Sequence, residues 1–152
     1  MKSLRKPILF ILALCILLTT YAFTKLYSSN TGKIKVMVTN IKNIQGQMGF
    51  SLYRSSEGFP HPEKASLTIF VEITGTSCEY TFTNIEAGTY AISVFHDENS
   101  DKELNSNFLG IPREGVGVSN NAKGHFGPPK FDAAKFDFTP PEKLIAISLS
   151  YF

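Results

Sequence analysis

The chain has 152 residues, with 15 Lys+Arg against 13 Asp+Glu and a formal net charge of +2. Three of the basic residues, Lys2, Arg5 and Lys6, fall in the first six positions, so the remainder from Thr24 carries 12 basic against 13 acidic side chains, about −1 in all. That balance excludes a clustered basic face of the kind nucleic-acid proteins carry, and Cys78, the one cysteine after Cys15, excludes an internal disulfide in that remainder.

The first 23 residues place Lys2, Arg5 and Lys6 ahead of an uncharged, mostly apolar run from Pro7 to Phe23. This is the layout of a secretory signal, with Thr20-Tyr21-Ala22 as a cleavage site. Two alternatives stand beside it. The run could stay uncleaved as a membrane anchor helix over residues 7–23, or Cys15 could be acylated. All three predict export to the periplasm or cell envelope, with membrane contact only through this segment. Residues 24–32 read as a linker and residues 33–152 as one domain, long enough to bury a core.

Within the domain, Lys33 to Ile41 alternates, with Ile34, Val36 and Val38 on one face, the period of a half-buried strand. Asn43 to Gly46 is a turn, and Gln47 to Arg54 alternates again through Met48, Phe50 and Leu52, which predicts a hairpin. Ser55 to Lys64 holds two prolines and a glycine and predicts an ordered loop with Phe59 as its buried pin. Leu67 to Ile73 is rich in strand formers, and Cys78 to Phe82 follows as its expected hairpin partner. Cys78 shares a face with Tyr80 and Phe82, so it reads as a small apolar residue rather than a reactive thiol. Tyr90 to Phe95 is a further strand, opened by a tyrosine of the kind that turns its hydroxyl back onto the preceding corner. Two more strands follow at Ala134 to Phe138 and Lys143 to Tyr151, the second with Ile145, Ile147, Leu149 and Tyr151 facing one way. About seven short strands with turns between them indicate an all-β fold, a single antiparallel β-sandwich carrying a long ordered loop.

That loop is the informative stretch, because segments beyond about 15 residues in a compact domain are usually functional or disordered. In His96-Asp97-Glu98-Asn99-Ser100-Asp101-Lys102-Glu103-Leu104-Asn105, the oxygens of Asp97, Asn99 and Asp101 have the 1, 3, 5 spacing of calcium loops. Glu103 and Asn105 stand at positions 7 and 9. Lys102 replaces the glycine of position 6, and Phe108 stands where a closing glutamate belongs. The competing reading is a solvated acidic turn whose side chains cap their own backbone. Downstream, the glycines and amides from Asn107 to Ala122 suit a binding surface, or a flap pinned by Phe108, Ile111, Val118, Phe126 and Phe131.

The surface patch expected from both segments comprises His96, Asp97, Glu98, Asn99, Asn107, Asn120, Asn121 and His125. Calcium is the only cofactor suggested. A metal-dependent hydrolase using His96, Asp97 and His125 is a weaker alternative, since no nucleophile elbow or paired-histidine motif is present. The reading is of a non-enzymatic binding or structural module, with an envelope protein or glycan as partner and no nucleic acid.

The blocks SLYRSSEGFP, GTYAISVFHDEN, NFLGIPREGVGVSNNA and GHFGPPKFDAAKF resemble those of the bacterial exported family catalogued as domain of unknown function 2141. The resemblance spans Lys33 to Tyr151. The family pattern H-D-E-N-x-N-G-K-L-D-x-N is matched by His96, Asp97, Glu98, Asn99, Leu104 and Asn107, while Asp101, Lys102, Glu103 and Asn105 depart from it. The resemblance implies an exported β-sandwich, immunoglobulin-like or transthyretin-like in outline, and no established activity.

Overall fold

The computed structural model describes residues 30–124 and 127–152; the expected leader or anchor helix, Phe126 and His125 lie outside them. Eight strands form two sheets, one more strand than the sequence suggested: β1 (Thr31–Thr39), β2 (Gln47–Tyr53), β3 (Leu67–Glu72), β4 (Cys78–Glu86), β5 (Gly88–Asp97), β6 (Val116–Val118), β7 (Phe136–Phe138) and β8 (Glu142–Ser148). The first sheet has the order β4-β1-β8 and the second β3-β2-β5-β6. β7 pairs with the start of β5, on Gly88 to Tyr90, so β5 meets two short strands along its length. The helices among the described residues are single turns, including α1 (Phe131–Ala134).

The inner faces share one apolar core. Ile34, Val36 and Val38 of β1, Phe82 of β4 and Ile145 and Ile147 of β8 meet Met48, Phe50 and Leu52 of β2 and Ile92 and Val94 of β5. Each fully buried aliphatic or phenyl side chain contributes about 1.5–3 kcal/mol by leaving water. Cys78 is buried in the same core, and burial pushes its thiol pKa up.

The outer face of the second sheet is also covered. Phe59 stands edge-on to Tyr53 and to Phe131 of α1, with centroids 5.0 and 5.8 Å apart. That second layer covers Ala91, and Phe70 stands edge-on to Phe95 farther along, so β5 is buried on both faces from Tyr90 to Asp97. It also makes Phe59 the pin expected of the 55–64 loop, though half-buried rather than fully so.

Three expectations are corrected. Neither hairpin forms, because β1 pairs with β4 and β2 with β3. Alternation specifies which face of a strand is apolar and not which neighbour it has, and here β1 and β2, like β3 and β4, belong to different sheets. The fold is not antiparallel throughout, since β8 runs parallel to β1 from Lys33↔Glu142 to Thr39↔Ser148. The short Thr139–Pro141 link carries the chain from β7 in one layer to β8 in the other, and Lys33 N–H to Pro141 O (2.8 Å) fixes where β8 starts beside β1. Finally, Phe108 is 93% and Ile111 42% exposed, so neither pins a flap.

The Tyr90 hydroxyl donates to Glu86 O at 3.0 Å, the corner bond expected of it. Thr31 pairs with Glu86 beside the start of β5, whereas β5 ends at Asp97. Ten residues of strand, about 30 Å, therefore separate the end at which the chain enters the domain from the acidic corner.

Candidate functional site

β5 delivers His96 and Asp97 to the corner, and the pleat sends them to opposite faces. His96 belongs to the inner parity with Ile92 and Val94 and is fully buried. Its Nε2 lies 2.8 Å from Gln45 O. A carbonyl can only accept, so Nε2 carries the hydrogen, and in the neutral ring Nδ1 accepts from the Tyr151 hydroxyl at 2.9 Å. The Tyr151 oxygen in turn accepts the Lys42 N–H at 3.0 Å, and burial raises the pKa of its hydroxyl. Gly115 is needed here, because a Cβ would collide with the Tyr151 ring, and its carbonyl accepts the His96 N–H at 2.8 Å.

Asp97, also fully buried, is the hub of the turn. Its carboxylate accepts from Gln47 Nε2 (2.7 Å), Lys102 N–H (2.9 Å) and Asp101 N–H (3.1 Å). The turn closes on Asp97 because Ser100 and Lys102 adopt left-handed backbone, with φ of 60° and 66°.

Above it, Asn99 Nδ2 donates to Asp101 Oδ2 (2.8 Å) and Asn105 Oδ1 (3.1 Å), and Asp101 Oδ1 accepts the Glu103 N–H (2.8 Å). Asn105 Nδ2 also donates to Asp101 Oδ2 (3.1 Å), and the Glu103 N–H first, then the Asn99 and Asn105 amides, hold the Asp101 pKa below the usual carboxylate range.

A second buried carboxylate, Glu114, closes the corner. It is 5% exposed and accepts the N–H groups of Glu98 (3.1 Å) and Asn105 (2.9 Å). Burial pushes its pKa up, with the charges of Asp97 and Asp101 pushing the same way, while the two N–H groups pull it down. From this base rises a tip. Asn107 Oδ1 accepts the Leu109 and Ile111 N–H groups at 2.9 and 3.0 Å, and Asn107 N–H donates to Ile111 O at 2.9 Å. The apolar side chains of Phe108, Leu109 and Ile111 point outward from a tip whose backbone is bonded to itself.

The structure thus gathers Asp97, Asn99, Asp101 and Asn105 into one network, with Asn107 at the base of the tip. Glu103 joins only through its N–H, and Glu98 is tied by its carboxylate to Asn43 Nδ2 at 2.9 Å. Asn120 and Asn121 are not in this patch. Asn120 Nδ2 donates to Ala133 O and Lys135 O, and Asn121 Oδ1 accepts the Ser148 N–H, so both are cross-ties between the return segment, α1 and β8. Ser119 beside them bonds to Ile92 N–H on β5, four residues before His96, about 13 Å along the strand.

Glu114, Gln45, Gln47 and Tyr151 are the corner residues that motif reading misses. Glu114 had one visible signal, as a lone acid in the glycine-rich Gly110 to Val118 run.

Chemically, the corner is self-satisfied: no buried polar side-chain atom among the described residues lacks a partner. Both His96 ring nitrogens and both Asp97 carboxylate oxygens are hydrogen-bonded, and the two side chains face apart. Among the described residues, no group of three or more His, Cys, Asp or Glu side chains is arranged to hold a metal ion.

No curated protein and no solved structure gives a significant match to the chain. The model of a bacterial family described as uncharacterised, DUF2141, matches residues 36–146, which include the acidic corner, the exposed tip and both sheets. The chain belongs to that family of uncharacterised bacterial proteins.

Proposed function

We propose that the chain is an exported, non-enzymatic β-sandwich module of the bacterial cell envelope, immunoglobulin-like or transthyretin-like in outline, that binds an envelope protein or glycan through its 98–113 loop. One observation carries this reading: Phe108, Leu109 and Ile111 are 93%, 68% and 42% exposed on a tip whose own hydrogen bonds fix its backbone. Large apolar side chains gathered in the open mark interaction surfaces, and a preformed loop loses less conformational freedom on binding than a mobile one. The acids Glu98, Asp101 and Glu103 around the tip disfavour a nucleic-acid partner.

Export rests on the basic-then-apolar leader, and cleavage after Ala22 would appear in the mass of the mature protein. The binding test is co-sedimentation of the chain with purified cell envelopes of its source bacterium. Phe108→Ser with Leu109→Ser leaves stability within about 0.5 kcal/mol, because both residues are already in water, and abolishes most of the co-sedimentation. Equal co-sedimentation of variant and parent refutes the reading.

A second reading, calcium held by Asp97, Asn99, Asp101, Glu103 and Asn105, is favoured by one specific observation. Lys102 at φ 66° has the backbone that glycine supplies at position 6 of a calcium loop, so the missing glycine does not bar the turn. Millimolar calcium then raises the melting temperature and a chelator lowers it. An unchanged melt across that range removes calcium from consideration.

A further inference from the structure

At the end of the domain opposite the corner, β2 finishes at Tyr53 and the chain loops back over Ser55 to Ser66. Ser66 N–H donates to Leu52 O at 2.9 Å, which pins the loop's two ends together. Between them lies an open cleft of about 290 Å³ lined by Tyr53, Arg54, Ser55, Glu57, Lys64 and Ser66.

No ion pair joins two of the charged residues lining this cleft, although Arg54 is paired with Glu86 beside it. Arg54 uses one terminal nitrogen for Glu86 (3.1 Å) and the Tyr90 hydroxyl (3.2 Å). Nothing among the described residues takes its remaining guanidinium donors. The Lys64 ammonium has no carboxylate within ion-pair distance among the described residues, and Glu57 pairs with neither cation. The hydroxyls of Ser55 and Ser66 are likewise uncommitted to any hydrogen bond among the described residues.

The Lys64 stem passes over Gly58. Gly58, at φ +78°, lies so close under Lys64 Cβ that a side chain there would collide with it. The guanidinium is oriented by Glu86 and by the Tyr90 ring 5.6 Å beneath it. Two cations and two hydroxyls line the cleft as a donor set for an oxyanion, since guanidinium and ammonium donors make charge-assisted hydrogen bonds to carboxylate and phosphate. The cleft volume, at the small end of ligand sites, limits the ligand to a few heavy atoms beyond that group.

We propose that this cleft binds the carboxylate or phosphate group of a small molecule, with Arg54 and Lys64 as its charge partners and Ser55 and Ser66 as hydroxyl donors. This site goes beyond the corner and its tip and shares no residue with them.

The test is an amide-resolved NMR titration of the full chain, as matured in an exporting host, with inorganic phosphate and separately with acetate, each against chloride at equal ionic strength. Saturable shifts confined to residues 53–57 and 64–66 are expected with at least one of the two, and the tighter of them names the class. Lys64→Met keeps the stem over Gly58 and removes the charge, and weakens binding at least tenfold. Arg54→Lys keeps a charge without the planar fork and weakens it as well, whereas Glu57→Gln removes the opposing carboxylate and tightens it several-fold. Shifts that chloride reproduces, that do not saturate, or that persist unchanged in a folded Lys64→Met protein overturn the proposal.

Discussion

Replacing Glu114 with alanine tests whether the corner is organised by its buried carboxylates. The substitution leaves the N–H groups of Glu98 and Asn105 without their acceptor. A hydrogen bond to a charged partner contributes about 1.5–3 kcal/mol, and a donor stranded in the interior costs about 1–3 kcal/mol. Glu98 and Asn105 are half-buried, so water recovers part of each loss. Relief of the repulsion from Asp97 and Asp101 recovers a little more. We expect a net loss of about 2–3 kcal/mol, which for a domain of this size lowers the melting temperature by roughly 6–15 °C.

Glu114→Gln keeps one acceptor and turns an amide nitrogen toward the other N–H, so its loss should be smaller. The pH dependence supplies a separate check. A carboxyl whose folded pKa is raised binds more protons in the folded state between its unfolded and folded values. The contribution of Glu114 titration to stability is therefore largest below the unfolded value and falls as pH rises through the folded one. Urea unfolding at several pH values measures this, and the stability advantage of the parent over Glu114→Gln should shrink from about pH 4 upward. An alanine variant as stable as the parent, or an advantage that grows with pH, refutes the account.

Two further outcomes follow from the second sheet. Burial pushes the Tyr53 phenol up to about 12, against an ordinary value of 10.0, so the folded state keeps a proton that the unfolded chain loses. Stability should fall by up to about 2–3 kcal/mol between pH 10 and 12, and alkaline unfolding of Tyr53→Phe should lack that slope; an identical slope counts against it. Ser119 Oγ accepts the Ile92 N–H at 3.0 Å and donates to Ala134 O at 2.6 Å in a buried site. Ser119→Ala should cost about 2–4 kcal/mol and speed hydrogen exchange at Ile92 specifically, and an unchanged Ile92 exchange rate would show that the hydroxyl is not the strand's partner there.

The strands were legible because alternation is a local property. Ile34, Val36 and Val38, and again Ile145, Ile147 and Leu149, reach the core as their spacing requires. Partners were not legible, since a strand with one apolar face is satisfied by any neighbour that keeps that face inward, and the crossing between layers depends on the whole chain. The acidic turn was visible from Asp97, Asn99 and Asp101. Its second anchor, Glu114, was hidden because nine residues separate it from Asn105, a distance that no motif spacing encodes. Asn120 and Asn121 misled for the opposite reason: their side chains look available in sequence, and the backbone of α1 and β8 uses them.

The polarity of β5 has a practical consequence for anyone attaching this domain to a surface or a label. Thr31 lies at the Glu86 end, whereas Tyr151 reaches His96 at the other, with the exposed Phe152 after it. A fusion ahead of Thr31 leaves the Phe108 tip projecting freely, while a tag appended to Phe152 crowds the corner, so immobilisation by either terminus should not give the same binding signal.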